Sequence, residues 1–223
     1  YNRENFISEA IESILNQTYR DFEFLIVIDN PDNKDIEKII DLYVEKDSRI
    51  VKIKNKKNIG LTSSLNKALN KCKGTYIARM DADDISVNIR FEKQVDFLNK
   101  NCNIGLIGTN SYFIDEDDNI LWKGKSMPQT SICIKKLITY VNFFKHPSWM
   151  FRKSILNDIK AYRDIKYAED YDFILRLITL NVYIANIDEY LIYYRIRNSS
   201  ISQSNNLAQI KSGLYTKKLY NER

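Results

Sequence analysis

Apolar residues recur at helical spacing through Ile7, Ala10, Ile11, Ile14 and Leu15, and this stripe predicts an amphipathic first helix. "FEFLIVI" at 22–28 follows as a continuous apolar run of strand length, the pattern of a strand buried on both faces. The alternation then repeats. Ile36, Ile39, Ile40, Tyr43 and Val44 form a second helical stripe before the strand-like "RIVKIK", and Leu61, Leu65, Ala68 and Leu69 a third before "TYIARM". Helices alternating with buried strands predict an α/β fold: a mostly parallel, Rossmann-like sheet flanked by helices.

Beyond residue 100 the pieces shorten. "IGLIGT", "SYFID" and "NILWKG" read as strands, the last two joined by the acidic turn 115–119, so a small antiparallel extension is expected. A helix near 130–141, the strand "SWMFR", a helix at 168–180, the strands "VYIANI" and "YLIYYRI" and a C-terminal helix from about 205 complete the order. No composition break or repeat divides the chain, so residues 1–223 are expected to form a single domain. Sheets of this kind normally open on a strand. This chain opens at "YNRENF", already in the turn before a helix, so a first strand upstream of Tyr1 is expected.

Composition narrows the class. With 44% hydrophobic residues, 6 glycines and 3 prolines, the 223 residues can bury a core and carry no low-complexity linker. The net charge of +5 is the small difference between 34 basic and 29 acidic residues, dispersed along the chain. Its one compact basic run, "KIKNKK" at 52–57, reads as a solvated loop edge, so nucleic acid is not expected as a partner. A mildly basic surface favours anionic substrates or acidic lipid headgroups. Cys72, Cys102 and Cys133 form no CxxC pair, which fits a reducing compartment and neither a zinc cage nor a disulfide framework. No segment reaches the roughly 18 apolar residues of a membrane span, and no signal-peptide pattern opens the chain. A cytoplasmic protein, peripheral on the inner membrane face at most, is expected.

In open parallel sheets, ligands sit beyond the carboxyl ends of the strands. Three features fall there: Tyr1 to Arg3, Asp29-Asn30 after "FLIVI", and "RMDADD" at 79–84. The last gathers three carboxylates in four positions, tolerable only where the acids are solvated or where a cation joins them. Mg²⁺ and Mn²⁺ commonly use one or two carboxylates plus substrate phosphates, a need that a D-x-D at a strand end meets. Glu169-Asp170 opens a predicted helix, where a carboxylate is either a capping acid or an anion held ready for proton transfer.

Six segments in order, "YNRENFISEAIESILNQTYRDFEFLIVIDN", "NIGLTSSLNKAL", "GTYIARMDADD", "HPSWMFRK", "AEDYDFILRL" and "YRIRNSSIS", together resemble the family 2 glycosyltransferases, an inverting group with the GT-A fold. The resemblance covers nearly the whole chain and implies a nucleotide-sugar-binding half at 1–110 and an acceptor-side half at 111–223. It implies donor contacts from Tyr1, Arg3, Asp29, Asn58, Arg79, Asp81, His146 and Arg195, a Mn²⁺ or Mg²⁺ ion on Asp83, and Asp170 beside Glu169 as general base. The donor so implied is a nucleotide-sugar, expected to be UDP-linked. The acceptor is a glycan or lipid-linked hydroxyl in bacterial surface-polysaccharide synthesis. Two departures stand out: the family's Asp-Asp-Gly-Ser turn reads Ile28-Asp29-Asn30-Pro31 here, and Arg197 stands where a His is frequent. The alternatives are a non-catalytic nucleotide-sugar or glycan-binding module on the same scaffold and a phosphatase of the haloacid-dehalogenase type. The phosphatase would need its Asp pair on the first strand.

Overall fold

The structure is a computed structural model that describes residues 3–140, 142–197 and 206–221. Its elements run α1 (Arg3–Leu15), β1 (Phe24–Ile28), α2 (Lys34–Lys46), β2 (Ile50–Lys54), α3 (Leu61–Leu69), β3 (Tyr76–Ala78), β4 (Ile85–Ser86), α4 (Arg90–Lys100), β5 (Ile104–Ile114) and β6 (Ile120–Lys123), and then α5 (Ser131–Ile138), β7 (Met150–Arg152), α6 (Leu156–Ile159), α7 (Glu169–Thr179), β8 (Tyr183–Arg195) and α8 (Asn206–Asn221). Single 3₁₀ turns at His146–Ser148 and Lys153–Ile155 flank β7.

The first helical stripe buries Ile7, Ala10, Ile11 and Ile14, and Ile7 and Ile11 pack with Ile26, Ile28, Ile40 and Ile50 in a core shared by α1, β1, α2 and β2. β1 and β2 pair in parallel, as the alternation predicts. α2 begins where the Asn33 side chain accepts the Ile36 N–H at 3.1 Å, satisfying one of the first-turn donors that no helical carbonyl reaches. Asn33→Ala is expected to cost about 1 kcal/mol, measurable as a lower urea midpoint with unchanged m-value.

The second sheet has the order β3-β7-β5-β8-β4, with β6 paired to β5. Here β5 and β8 are parallel, whereas β3–β7, β5–β7, β4–β8 and β5–β6 are antiparallel. Among the described residues, parallel pairing is thus confined to β1–β2 and β5–β8. "IGLIGT" and "SYFID" are one strand, as are "VYIANI" and "YLIYYRI". Register shifts around Thr109–Ser111 let the long β5–β8 ladder bend without breaking, and they put polar side chains where the sequence shows a gap in the apolar run. The division expected at residue 110 falls inside β5.

α4 carries a short apolar stripe, Phe91, Val95 and Leu98. Its buried face carries Arg90 and Gln94 beside Phe91 and Leu98. The largest core lies between this sheet and α5–α7, where Trp149, Phe151 and Phe173 are fully buried. Among the described residues β1 pairs only with β2, and β3 only with β7. The cleft runs between these two strands, lined by Phe24–Ile28 on one side and Tyr76–Arg79 on the other. No helix among the described residues is long and apolar enough to cross a membrane.

Candidate active site

One continuous cleft is lined by Asp29, Asn58, Arg79, Asp81, Asp83, His146, Glu169, Asp170 and Arg195. Of the other expected site residues, Tyr1 lies outside the described residues and Arg3 opens α1.

The three acids after β3 are treated in three ways. Asp81 takes a two-pronged ion pair from Arg79, one arm at 2.7 Å, and the Arg79 backbone is pinned because its carbonyl accepts from buried Arg90 at 2.8 Å. Asp83 pairs with Arg197. Asp84 is buried; its Oδ1 accepts the Arg195 N–H at 2.9 Å and its Oδ2 has no partner. Burial, with Asp81 and Asp83 beside it, pushes the Asp84 carboxyl well above the usual carboxylate range. Within the protein, then, Arg79 and Arg197 each face one carboxylate of this cluster, and burial raises the pKa of the third.

Asp29, at the end of β1, accepts from Asn55 Nδ2 at 2.8 Å and from the backbone N–H groups of Ile59 and Gly60, both at 2.9 Å. Burial alone would raise its pKa, but the bonds from Ile59, Asn55, Ser64 and Gly60 outweigh burial and hold it low. The carboxylate thus shapes the loop before α3, where Gly60 takes φ +83°, a left-handed conformation that strains any side chain. Asn58 adds an acceptor to the same turn, from Gly60 N–H at 3.1 Å. In α3, Asn66 exchanges two bonds with the Tyr162 backbone, both 2.9 Å, and so fixes the loop that leads to α7.

α7 carries Glu169, Asp170 and Asp172 in its first turn, where the helix N-terminus favours negative charge. Asp170 accepts from the Tyr171 N–H at 2.7 Å and from Asn142 Nδ2 at 2.9 Å. Burial raises its pKa and these two donors temper the rise, leaving a base stronger than an ordinary carboxylate. Glu169 is pushed up to about 7 by burial first and by Asp170 second. Asp172 faces away: fully buried, it pairs with Arg176 at 2.7 Å and accepts from the Tyr220 hydroxyl at 2.9 Å, tying α7 to α8.

His146 is buried beside the cleft, with Nε2 2.8 Å from the Tyr162 hydroxyl and its ring 4.5 Å from that of Trp149. Burial, and then Arg79, depress its pKa well below the usual value, so it is neutral at pH 7. Arg195 differs from expectation. Its fully buried guanidinium already has four acceptors: Glu9 at 2.8 Å, the Asp83 carbonyl at 2.9 Å, the Asp115 carbonyl at 3.0 Å and Asp118 at 2.6 Å. It braces the turns at 83–84 and 115–118, and the guanidinium that reaches the Asp83 carboxylate is that of Arg197.

Sequence reasoning missed Asn142, Lys145 and Tyr162, each tied to the catalytic-looking residues by contact or charge. Lys145 is half-buried, its ammonium 5.5 Å from the Phe113 ring and 5.4 Å from the Tyr194 ring. Burial lowers its pKa against the pull of Asp170 and Asp84. Its position next to His146 was the only available signal.

The family model described as "Glycosyl transferase family 2" matches residues 1–160. An uncharacterized glycosyltransferase, MJ1057, of Methanocaldococcus jannaschii is 43% identical over 212 residues, 95% of this chain and 72% of that one. The O-antigen biosynthesis glycosyltransferase WbnJ of Escherichia coli is 36% identical over 203 residues, 90% of this chain and 78% of its own. Among solved structures, S. aureus TarS 1-349 in complex with UDP shares a TM-score of 0.71 at 17% identity, covering 97% of this chain. The mannosyltransferase PcManGT of Pyrobaculum calidifontis, in complex with GDP-Man and Mn2+, matches with a TM-score of 0.71 at 13% identity, again over 97% of this chain. This chain spans 62% and 60% of those two solved chains, and both likenesses show the GT-A fold.

Proposed function

Because the chain belongs to glycosyl transferase family 2, we propose that it moves a sugar from a nucleoside-diphosphate donor, UDP-linked in our reading, to a hydroxyl of a glycan or lipid-linked acceptor, with inversion. The observation that carries this reading is the single cleft in which Arg79–Asp81, Asp83 and Glu169–Asp170 converge from separate segments. Asp170 takes the proton from the acceptor hydroxyl. The hydroxyl oxygen bonds to the anomeric carbon while the bond from that carbon to the diphosphate oxygen breaks on the opposite face, and the electron pair leaves with the diphosphate. Arg79, held against Asp81, is the fixed cation near the departing charge. Asp29, with Asn58 in the neighbouring turn, lines the nucleotide end, and neutral His146 walls the middle of the cleft.

Asp83 is the proposed ligand of Mn²⁺ or Mg²⁺. Among the described residues no group of three or more His, Cys, Asp or Glu could hold an ion alone. The donor set nevertheless fits, since such ions take one or two carboxylates and complete their shell with phosphate and water. Bound there, the metal would stabilise negative charge on the leaving diphosphate. The test is a thermal shift: UDP or GDP with Mn²⁺ should raise Tm, and Asp83→Asn should abolish the metal-dependent part. A Tm that responds equally in both proteins removes Asp83 from the site.

Surface-polysaccharide synthesis is the proposed setting, supported by the likeness to an O-antigen enzyme. Peripheral attachment to an anionic membrane face is part of this proposal, supported by the net charge of +5. We also propose that a strand preceding Tyr1 pairs between β1 and β3. Among the described residues each of those strands has one edge without a strand partner and both line one cleft, and such a strand would close the sheet beside Asp29.

A further inference from the structure

Arg197 lies two residues beyond β8, on a segment fixed to the acids at 83–84 themselves. The Arg195 N–H bonds Asp84 Oδ1 at 2.9 Å, the Arg195 guanidinium bonds the Asp83 carbonyl at 2.9 Å, and the Ile196 N–H bonds the Ile114 carbonyl at 2.8 Å. With its backbone so placed, Arg197 sets Nη2 on Asp83 Oδ2, its side chain 13% exposed and that of Asp83 23%. Its Nε is buried without a partner, and the guanidinium lies 5.8 Å from the Phe6 ring. A carboxylate oxygen cannot serve a guanidinium and a divalent ion in the same place, and the two cations repel. A metal that binds Asp83 through Oδ2 must therefore displace Arg197, and one that binds through Oδ1 is still repelled by it. Once displaced, a half-buried guanidinium with a spare donor needs another anion, and a diphosphate is the one that arrives with the metal.

We propose that Arg197 is an internal cation that guards Asp83: it neutralises this carboxylate until a metal–diphosphate complex enters, then yields Asp83 to the metal and takes a diphosphate oxygen as its own acceptor. The inference rests on the reading of Asp83 as the metal ligand. It makes metal and nucleotide binding mutually dependent, because metal alone must break the ion pair without compensation, whereas metal with diphosphate gives Arg197 a replacement.

The experiment is a Mn²⁺ titration of the full chain followed by the electron paramagnetic resonance signal of free Mn²⁺, with and without UDP or GDP. Without nucleotide, Arg197→Gln should bind Mn²⁺ about tenfold more tightly than wild type, the size of one partly buried ion pair. Arg197→Lys, which keeps a cation in reach, should stay within about twofold of wild type. Misfolding weakens metal binding and so cannot mimic the tightening. Tightening in both variants, or in neither, overturns the inference. If Asp83→Asn binds Mn²⁺ with UDP or GDP as well as wild type does, the reading of Asp83 falls by itself, whatever Arg197→Gln does.

Discussion

Asp170→Asn should lower kcat by about 10²–10⁴-fold while leaving KM for the donor within about threefold. The substitution changes proton affinity and little else. An asparagine oxygen still accepts the Tyr171 N–H that now lies 2.7 Å from Oδ1, so the first turn of α7 keeps its partner. The new amide nitrogen would face the amide of Asn142, now 2.9 Å from Oδ2, and rotation of Asn142 about its last bond relieves that clash locally. What is lost is the only group there that burial has made a stronger base and two donors have oriented. Loss of kcat alone would match a contact made only as the proton moves, whereas a rise in KM with kcat intact would move the base elsewhere. Steady-state kinetics with saturating acceptor separates the two. The contrasting neighbour is Asp172, two residues further along the same acidic motif, whose bonds to Arg176 and Tyr220 make it a structural anchor.

That contrast marks what the sequence could and could not reveal. "AEDYD" offers three acids of one type, and their fates follow from helical geometry: position 172 falls on the buried face and 169–170 on the cleft edge. The α/β alternation, the parallel β1–β2 pair and the strand-end position of "RMDADD" were legible because apolar runs and helical stripes report directly on burial. α4 was less legible because Arg90 and Gln94 share the buried face with its short apolar stripe of Phe91, Val95 and Leu98, and their hydrogen bonds to the carbonyls of Arg79, Trp149 and Ser148 do work that hydropathy cannot register. The continuity of β5 and β8 was hidden by polar residues at their register shifts. Charge partners were the least legible. Arg195 ends β8 and Arg197 lies two positions on, beyond the strand, where the alternation of the ladder no longer applies; the first is buried against Glu9 and Asp118 and the second reaches Asp83. A motif identifies a stretch, and the path of the backbone beyond the strand decides which side chain faces the cleft.

Glu169→Gln should make the protein more stable than wild type at pH 8 and leave it equal at pH 4.5. Glu169 is raised from an ordinary 4.5 to about 7, by burial first and by Asp170 second. Between those two values the folded chain holds a proton that the unfolded chain has released, so unfolding releases a proton and stability falls as pH rises. The benefit is complete below about 4.5 and lost above about 7. At about 1.36 kcal/mol per unit the ceiling is near 3 kcal/mol, and partial exposure with charge sharing across the pair brings the expected difference to about 2 kcal/mol. Glutamine is neutral at every pH and removes this contribution. Asp83, Asp84 and Asp170 are also raised, so the variant should keep a shallower slope of the same sign. Urea unfolding of both proteins at pH 4.5 and pH 8 measures the difference. Equal slopes would mean that Glu169 is solvated and does not share the burial of Asp170. The destabilisation is the reason to expect a role for Glu169 in the reaction: a second acid beside the base, half-ionised near pH 7, holds a proton next to the carboxylate that must accept one.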